Sequence, residues 1–134
     1  MKKYKRAITY GTYDLFHVGH VRLLKRIAEM ADELYVVVSS DEFNKIKGKT
    51  CVIPFEERRE IIESLACVTK VLREDNWDQK IQDIIDNQCD VFVMGNDWIT
   101  RFDYLNKYCD VVYLPRTPGV SSSSIKEKLK QNKI

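Results

Sequence analysis

Short apolar runs and amphipathic stretches alternate along the whole chain, and this alternation constrains the fold more than any other feature. Arg6-Ala7-Ile8-Thr9-Tyr10, Leu34-Tyr35-Val36-Val37-Val38, Val68 to Leu72, Asp90 to Gly95 and Asp110 to Leu114 have strand length and strand composition. Between them, Val21, Leu23, Leu24, Ile27, Ala28 and Met30 recur at helical spacing, with Arg22, Lys25, Arg26 and Glu29 on the other side. Phe55 to Leu65 and Asp78 to Asn87 repeat the helical pattern, Trp98 to Lys107 does so more weakly, and a polar helix is expected from Ile125 to about Lys130. Strands that alternate with helices pair in parallel through right-handed crossovers. The expectation is an α/β fold: a Rossmann-like open parallel five-stranded sheet with helices on both faces. Ligands of such sheets sit beyond the carboxyl ends of the strands, where the strand order reverses.

With 134 residues the chain reads as a single domain, 1–134, long enough to bury roughly two thirds of its unfolded surface without covalent staples. The 22 Lys and Arg against 20 Asp and Glu give a net charge of only +2, which lacks the basic footprint of a dedicated nucleic-acid binder. Cys51, Cys67, Cys89 and Cys109 are widely spaced and form no C-x-x-C pair, so they read as core residues of a reducing compartment. No apolar run reaches membrane-spanning length, and the basic start Met1 to Arg6 is followed by no signal-like segment. A cytoplasmic protein is expected.

Both histidines of the chain fall in His17-Val18-Gly19-His20, just after the first strand and at the start of the first helix. They read as a helix cap with a packing contact, as metal ligands, or as donors to an anion. No cysteine or third histidine stands by to complete a metal site. Imidazole donors beside the unsatisfied amides of a helix N-terminus suit a phosphate, and Gly19 removes a side chain where it would approach the backbone. Upstream, Gly11 permits a sharp exit from the strand, Thr12 offers a hydroxyl, and Asp14 is a turn or capping carboxylate or a ligand contact. Residues 41–54 form a long loop, or a short helix plus loop, carrying Lys45, Lys47 and Lys49. Folded over a site, these ammonium groups would neutralise phosphate charge; otherwise they are a solvated charge run. Gly95-Asn96-Asp97-Trp98 follows the fourth strand and is placed to close on a planar base, unless Trp98 only anchors its own segment. Trp77 and Lys80 carry the same ambiguity. Arg116-Thr117-Pro118-Gly119-Val120 and Ser121 to Ser124 bring a guanidinium and several hydroxyls to the start of the last helix, a set suited to a polyphosphate.

Gly11-Thr12-Tyr13-Asp14-Leu15-Phe16-His17-Val18-Gly19-His20 resembles the H-x-G-H signature of the nucleotidylyltransferase superfamily, and Arg116 to Ser121 resembles its R-T-x-G-[IV]-S partner. Met94 to Trp98 and Ser40 to Asn44 are similar to further blocks of its bacterial glycerol-3-phosphate cytidylyltransferase branch. The resemblance implies transfer of CMP from CTP to a phosphorylated alcohol, chiefly glycerol 3-phosphate, with release of pyrophosphate. It also implies Mg²⁺ carried by the CTP, no metal ligand from the protein, a homodimer, and a product feeding teichoic acid or capsule synthesis. By resemblance His17, His20 and Arg116 are catalytic. Thr12, Tyr13, Gly19, Lys49, Gly95, Asp97, Thr117, Gly119, Val120, Ser121, Ser122 and Ser123 join Arg116 in holding the nucleotide, and Asp14, Lys47, Trp77 and Lys80 hold the acceptor. Ala66-Cys67-Val68-Thr69 departs from the R-Y-V-D block of that branch, and Arg58, Arg59 or Arg73 are candidates to replace the missing arginine. Other readings are the same chemistry on ethanolamine, choline, polyol or sugar phosphates, an ATP-dependent adenylyl transfer, and a CTP-binding regulator without turnover.

Overall fold

The computed structural model describes residues 2–115 and residue 129. Five strands form one parallel sheet: β1 (Tyr4–Gly11), β2 (Ala31–Ser39), β3 (Lys70–Glu74), β4 (Val91–Gly95) and β5 (Asp110–Leu114), in the order β3-β2-β1-β4-β5. The order reverses between β1 and β4, where successive crossovers leave for opposite edges. A cleft opens above that point by construction. The helices are α1 (Val18–Met30), α2 (Asp41–Ile46), α3 (Phe55–Glu63) and α4 (Lys80–Asp86), with 3₁₀ turns at Asn96–Trp98 and Asp103–Lys107.

Both faces are covered, as the doubly apolar strands require. Leu24 and Ile27 of α1 and Phe55 and Ile62 of α3 pack on Ala7, Val36, Val38, Val91 and Val93. On the other face Ile84 of α4 and Leu105 pack against Ile8, Tyr10, Val37 and Phe92. Cys89 is buried in this second cluster, and burial pushes its thiol up to about 12 and that of Cys109 up to about 11. All four cysteines are free, and these two are packing residues, protonated at neutral pH.

Three boundaries differ from the sequence expectation. Helix α1 starts at Val18, ahead of its apolar repeat, because the histidines themselves cap it. Strand β3 is displaced toward its carboxyl end: Leu65 to Val68 close a turn, and pairing with β2 begins at Tyr35 opposite Lys70. The helix expected over Trp98 to Lys107 does not form. Thr100 takes a left-handed φ of 71°, which breaks the helix and leaves the two 3₁₀ turns. The second turn is fixed by fully buried Leu105 and by the Tyr113 hydroxyl, which accepts the Phe102 N–H at 2.9 Å and donates to Asp103 at 2.9 Å. The segment from Arg116 to Ser123 and the expected last helix lie outside the described residues, Leu129 apart.

Candidate active site

The loop from β1 to α1 is held in an uncommon conformation. Tyr13 and Leu15 have φ of 56° and 49°, each costing on the order of 1–2 kcal/mol for a residue with a Cβ. Packing over-determines this shape. The buried Tyr13 ring folds back over Gly11, where an added Cβ would stand 2.7 Å from the ring, so any side chain at position 11 forces the ring to shift. Asp14, buried between the two strained residues, accepts N–H donors from Leu15 at 3.1 Å, Val52 at 2.9 Å and Ile53 at 2.9 Å.

The histidines that follow are each fixed by one nitrogen. His17 is the N-cap of α1, and its Nδ1 accepts the Gly19 N–H at 3.0 Å. Nδ1 of His20 accepts the His17 N–H at 3.2 Å, which completes a reciprocal capping box. Because both Nδ1 atoms accept from amides, both rings must carry their proton on Nε2. The rings stack with centroids 3.9 Å apart, and Phe16 and Tyr13 pack on His20 at 5.2 and 5.3 Å. Burial holds the His17 imidazole below its ordinary value, and burial together with His17 pushes His20 down to about 4. Two neutral imidazoles therefore present Nε2–H groups at pH 7. The Nε2 of His17 is buried without a hydrogen-bond partner among the described residues, which leaves its N–H available to the oxygen of a ligand or of water.

A cavity of about 240 Å³ lies over the β1/β4 reversal. Its walls are the end of β1 with Thr12 and Tyr13, the first turn of α1 with His17, Gly19 and His20, and Gly95, Asp97 and Trp98 after β4. The structure thus brings together every nucleotide-site residue expected within the described region except Lys49. That residue lines a second cavity of about 300 Å³ with Asn44, Lys45, Thr50 and Cys51. The remaining nucleotide-site residues, Arg116, Thr117, Gly119, Val120, Ser121, Ser122 and Ser123, lie outside the described residues.

Three of the expected acceptor residues meet in a neighbouring cluster. The Lys47 ammonium sits 4.6 Å over the Phe43 ring, which packs edge-on against Trp77 at 5.0 Å. Burial, the largest influence, pulls the Lys47 pKa down, and nearby Glu74 opposes it. Lys80 is buried, bonded to Glu74 at 2.8 Å and lying 4.8 Å from the Tyr10 ring and 5.4 Å from that of Phe102. Asp14, the fourth, is placed as a loop anchor by the amides it accepts. The sequence carried no site signal for Glu74, and Phe43 stood out only as part of the Ser40 to Asn44 block.

Ala66 and Thr69 stand away from all of this. Ala66 is exposed, and the Thr69 hydroxyl accepts the Leu34 N–H at the amino end of the β2/β3 pair, opposite the site. Their departure from the R-Y-V-D block leaves the described pocket intact. Among the described residues no three His, Cys, Asp or Glu side chains are grouped to hold a metal, and no helix is long and apolar enough to cross a membrane.

An open parallel sheet with fixed imidazole N–H donors and a helix N-terminus at its reversal point has the architecture of a nucleotide-binding α/β protein. The chain belongs to the cytidylyltransferase-like family, which matches residues 8–128, and it is a nucleotidyltransferase. It is 51% identical over 125 residues to the glycerol-3-phosphate cytidylyltransferase of Bacillus subtilis (strain 168), covering 93% of this chain and 97% of that protein. It is 50% identical to the protein of the same name in Staphylococcus aureus, with 93% and 95% covered. Among solved structures, the lipopolysaccharide core biosynthesis protein of Thermoplasma volcanium shares the fold with a TM-score of 0.73 at 22% identity, covering 85% of this chain and 98% of that one. A bifunctional NMN adenylyltransferase/ADP ribose pyrophosphatase of Francisella tularensis shares it with a TM-score of 0.69 at 15% identity, covering 96% and 43%.

Proposed function

We propose that this chain transfers CMP from CTP to glycerol 3-phosphate, giving CDP-glycerol and pyrophosphate. The observation that carries the reading is the pair of amide-locked, neutral histidines whose Nε2–H donors line the cavity at the strand reversal. Its acceptor and nucleotide follow the names of relatives about 50% identical over nearly their whole length.

A phosphate oxygen of the acceptor attacks the α-phosphorus in line. One P–O bond forms there as the bond to the β-phosphate oxygen breaks, and pyrophosphate leaves with the electron pair. This transfer needs positioning and charge stabilisation rather than a covalent nucleophile. His17 and His20 donate to oxygens whose charge grows in the transition state, and Lys47 and Lys49 add positive charge from the loop after α2. Arg116 and the hydroxyls up to Ser123 join the nucleotide site in this reading. Mg²⁺ enters on the triphosphate: the described cavity lining offers donors and one carboxylate, Asp97, a set suited to a polyphosphate that brings its own ion. The enzyme acts in the cytoplasm as a homodimer, the latter checked by sedimentation.

The test is an acceptor panel with CTP, and with ATP in parallel, read as pyrophosphate release. Glycerol 3-phosphate with CTP is expected to exceed every other pair. Turnover preferring ethanolamine or choline phosphate, or ATP, contradicts the reading, as does CTP binding without product.

A further inference from the structure

Arg58 is the largest fully buried side chain described, with none of its side-chain surface exposed. A cation in that position must have all its donors engaged. Its guanidinium reaches three separate chain segments. Nη1 donates to the carbonyls of Thr12 and Ser39, both at 2.8 Å, and Nε to the carbonyl of Ile53 at 2.9 Å. Nη2 bonds Asp41 at 2.6 Å. Thr12 belongs to the histidine loop, Ser39 ends β2, and Ile53 lies on the segment 47–54 that starts at Lys47. Asp14 grips Ile53 from the other direction, accepting its N–H. The same residue is thus held by its N–H from the histidine loop and by its carbonyl from α3. Arg59 and Arg73 do nothing comparable: both are about half exposed, bonded to Glu56 and Glu63 and to Glu42 and Asp75 respectively.

We propose that Arg58 is a positioning residue for nucleotidyl transfer. With Asp14 it fixes the lysine-bearing segment against the histidine loop, so that Lys49 and the two Nε2–H donors meet the triphosphate while Lys47 meets the acceptor, at a set spacing. Arg58 touches no reacting atom. Its planar fork of donors serves three carbonyls and a carboxylate at once, which a lysine ammonium on a flexible stem cannot do. This inference rests on the transfer reading above.

The test is steady-state kinetics with CTP and glycerol 3-phosphate on Arg58→Lys, on Asp14→Asn, which loosens the same clamp from its other side, and on Arg59→Ala. Rates are taken per folded molecule, well below each melting midpoint by circular dichroism. A misplacement near 1 Å predicts kcat lower by roughly 30- to 100-fold in the first two variants, KM for CTP within about threefold of wild type, and no change in Arg59→Ala. Wild-type kcat in folded Arg58→Lys and Asp14→Asn overturns the proposal and leaves the clamp purely structural. So does a rise in KM at constant kcat. An inactive wild-type protein instead removes the transfer reading, and the positioning role with it.

Discussion

Replacing His17 separates its two jobs. In His17→Asn the side-chain oxygen stands where Nδ1 stood and still accepts the Gly19 N–H, because Asn is among the best N-cap residues. Nothing remains at the position of Nε2. Loss of a preorganised donor to a transition-state oxygen costs about 10²–10³ in kcat, or 2.7–4 kcal/mol. His17→Ala loses that donor and the cap as well, and cap loss adds about 1 kcal/mol of destabilisation. In a domain stable by 5–15 kcal/mol, about 1 kcal/mol leaves nearly every molecule folded, so unfolding cannot account for a hundredfold loss of rate. The expected result is therefore two variants with the same low kcat, of which only the alanine form melts earlier, by roughly 3–5 °C. The measurements are pyrophosphate release at saturating substrates and thermal melts by circular dichroism. A His17→Asn enzyme within tenfold of wild type would refute the donor role, and a rate loss in step with the melting shift would refute the separation.

Further outcomes follow from other contacts. His20 is held near 4 in the fold against an ordinary 6.5, so the unfolded chain takes up its proton first. Its contribution is complete above pH 6.5 and falls as pH drops toward 4, on the order of 2 kcal/mol lost by pH 5. Chemical denaturation of wild type and His20→Gln should show a shallower acid loss in the variant; parallel curves contradict the burial argument. Gly11→Ala, whose Cβ meets the buried Tyr13 ring at 2.7 Å, should destabilise by about 1–3 kcal/mol and lower activity, and a neutral result means that the ring moves aside. Lys80→Met strands the buried Glu74 carboxylate and should cost roughly 3–5 kcal/mol, largely recovered in the double variant with Glu74→Gln. An unchanged melting midpoint in Lys80→Met would show that the pair is not buried in solution.

The parallel five-stranded sheet was legible because apolar runs such as Leu34 to Val38 alternate with amphipathic repeats such as Val21 to Met30; the strand order, and so the β1/β4 reversal, came from the structure. The histidine pair was legible as well, since both histidines of the chain stand at one helix start. Their tautomer was not, because it depends on which nitrogen receives the amides of His17 and Gly19, a matter of loop geometry. Trp98 to Lys107 misled through propensity, as Thr100 and the tertiary anchor from Tyr113 override a weak helical pattern. The roles of Asp14 and Arg58 were hidden for a similar reason. Their partners at Ile53, Thr12 and Ser39 are backbone groups, and any sequence supplies backbone groups.

Direct in-line transfer of CMP from CTP to glycerol 3-phosphate is tested most directly by the phosphorus stereochemistry of the product. One diastereomer of the α-thio analogue of CTP is incubated with the enzyme, Mg²⁺ and glycerol 3-phosphate, and the α-phosphorus of the resulting thio-CDP-glycerol is assigned by ³¹P NMR. A single displacement predicts inverted configuration; retention, or no cytidylylated glycerol at all, contradicts the account.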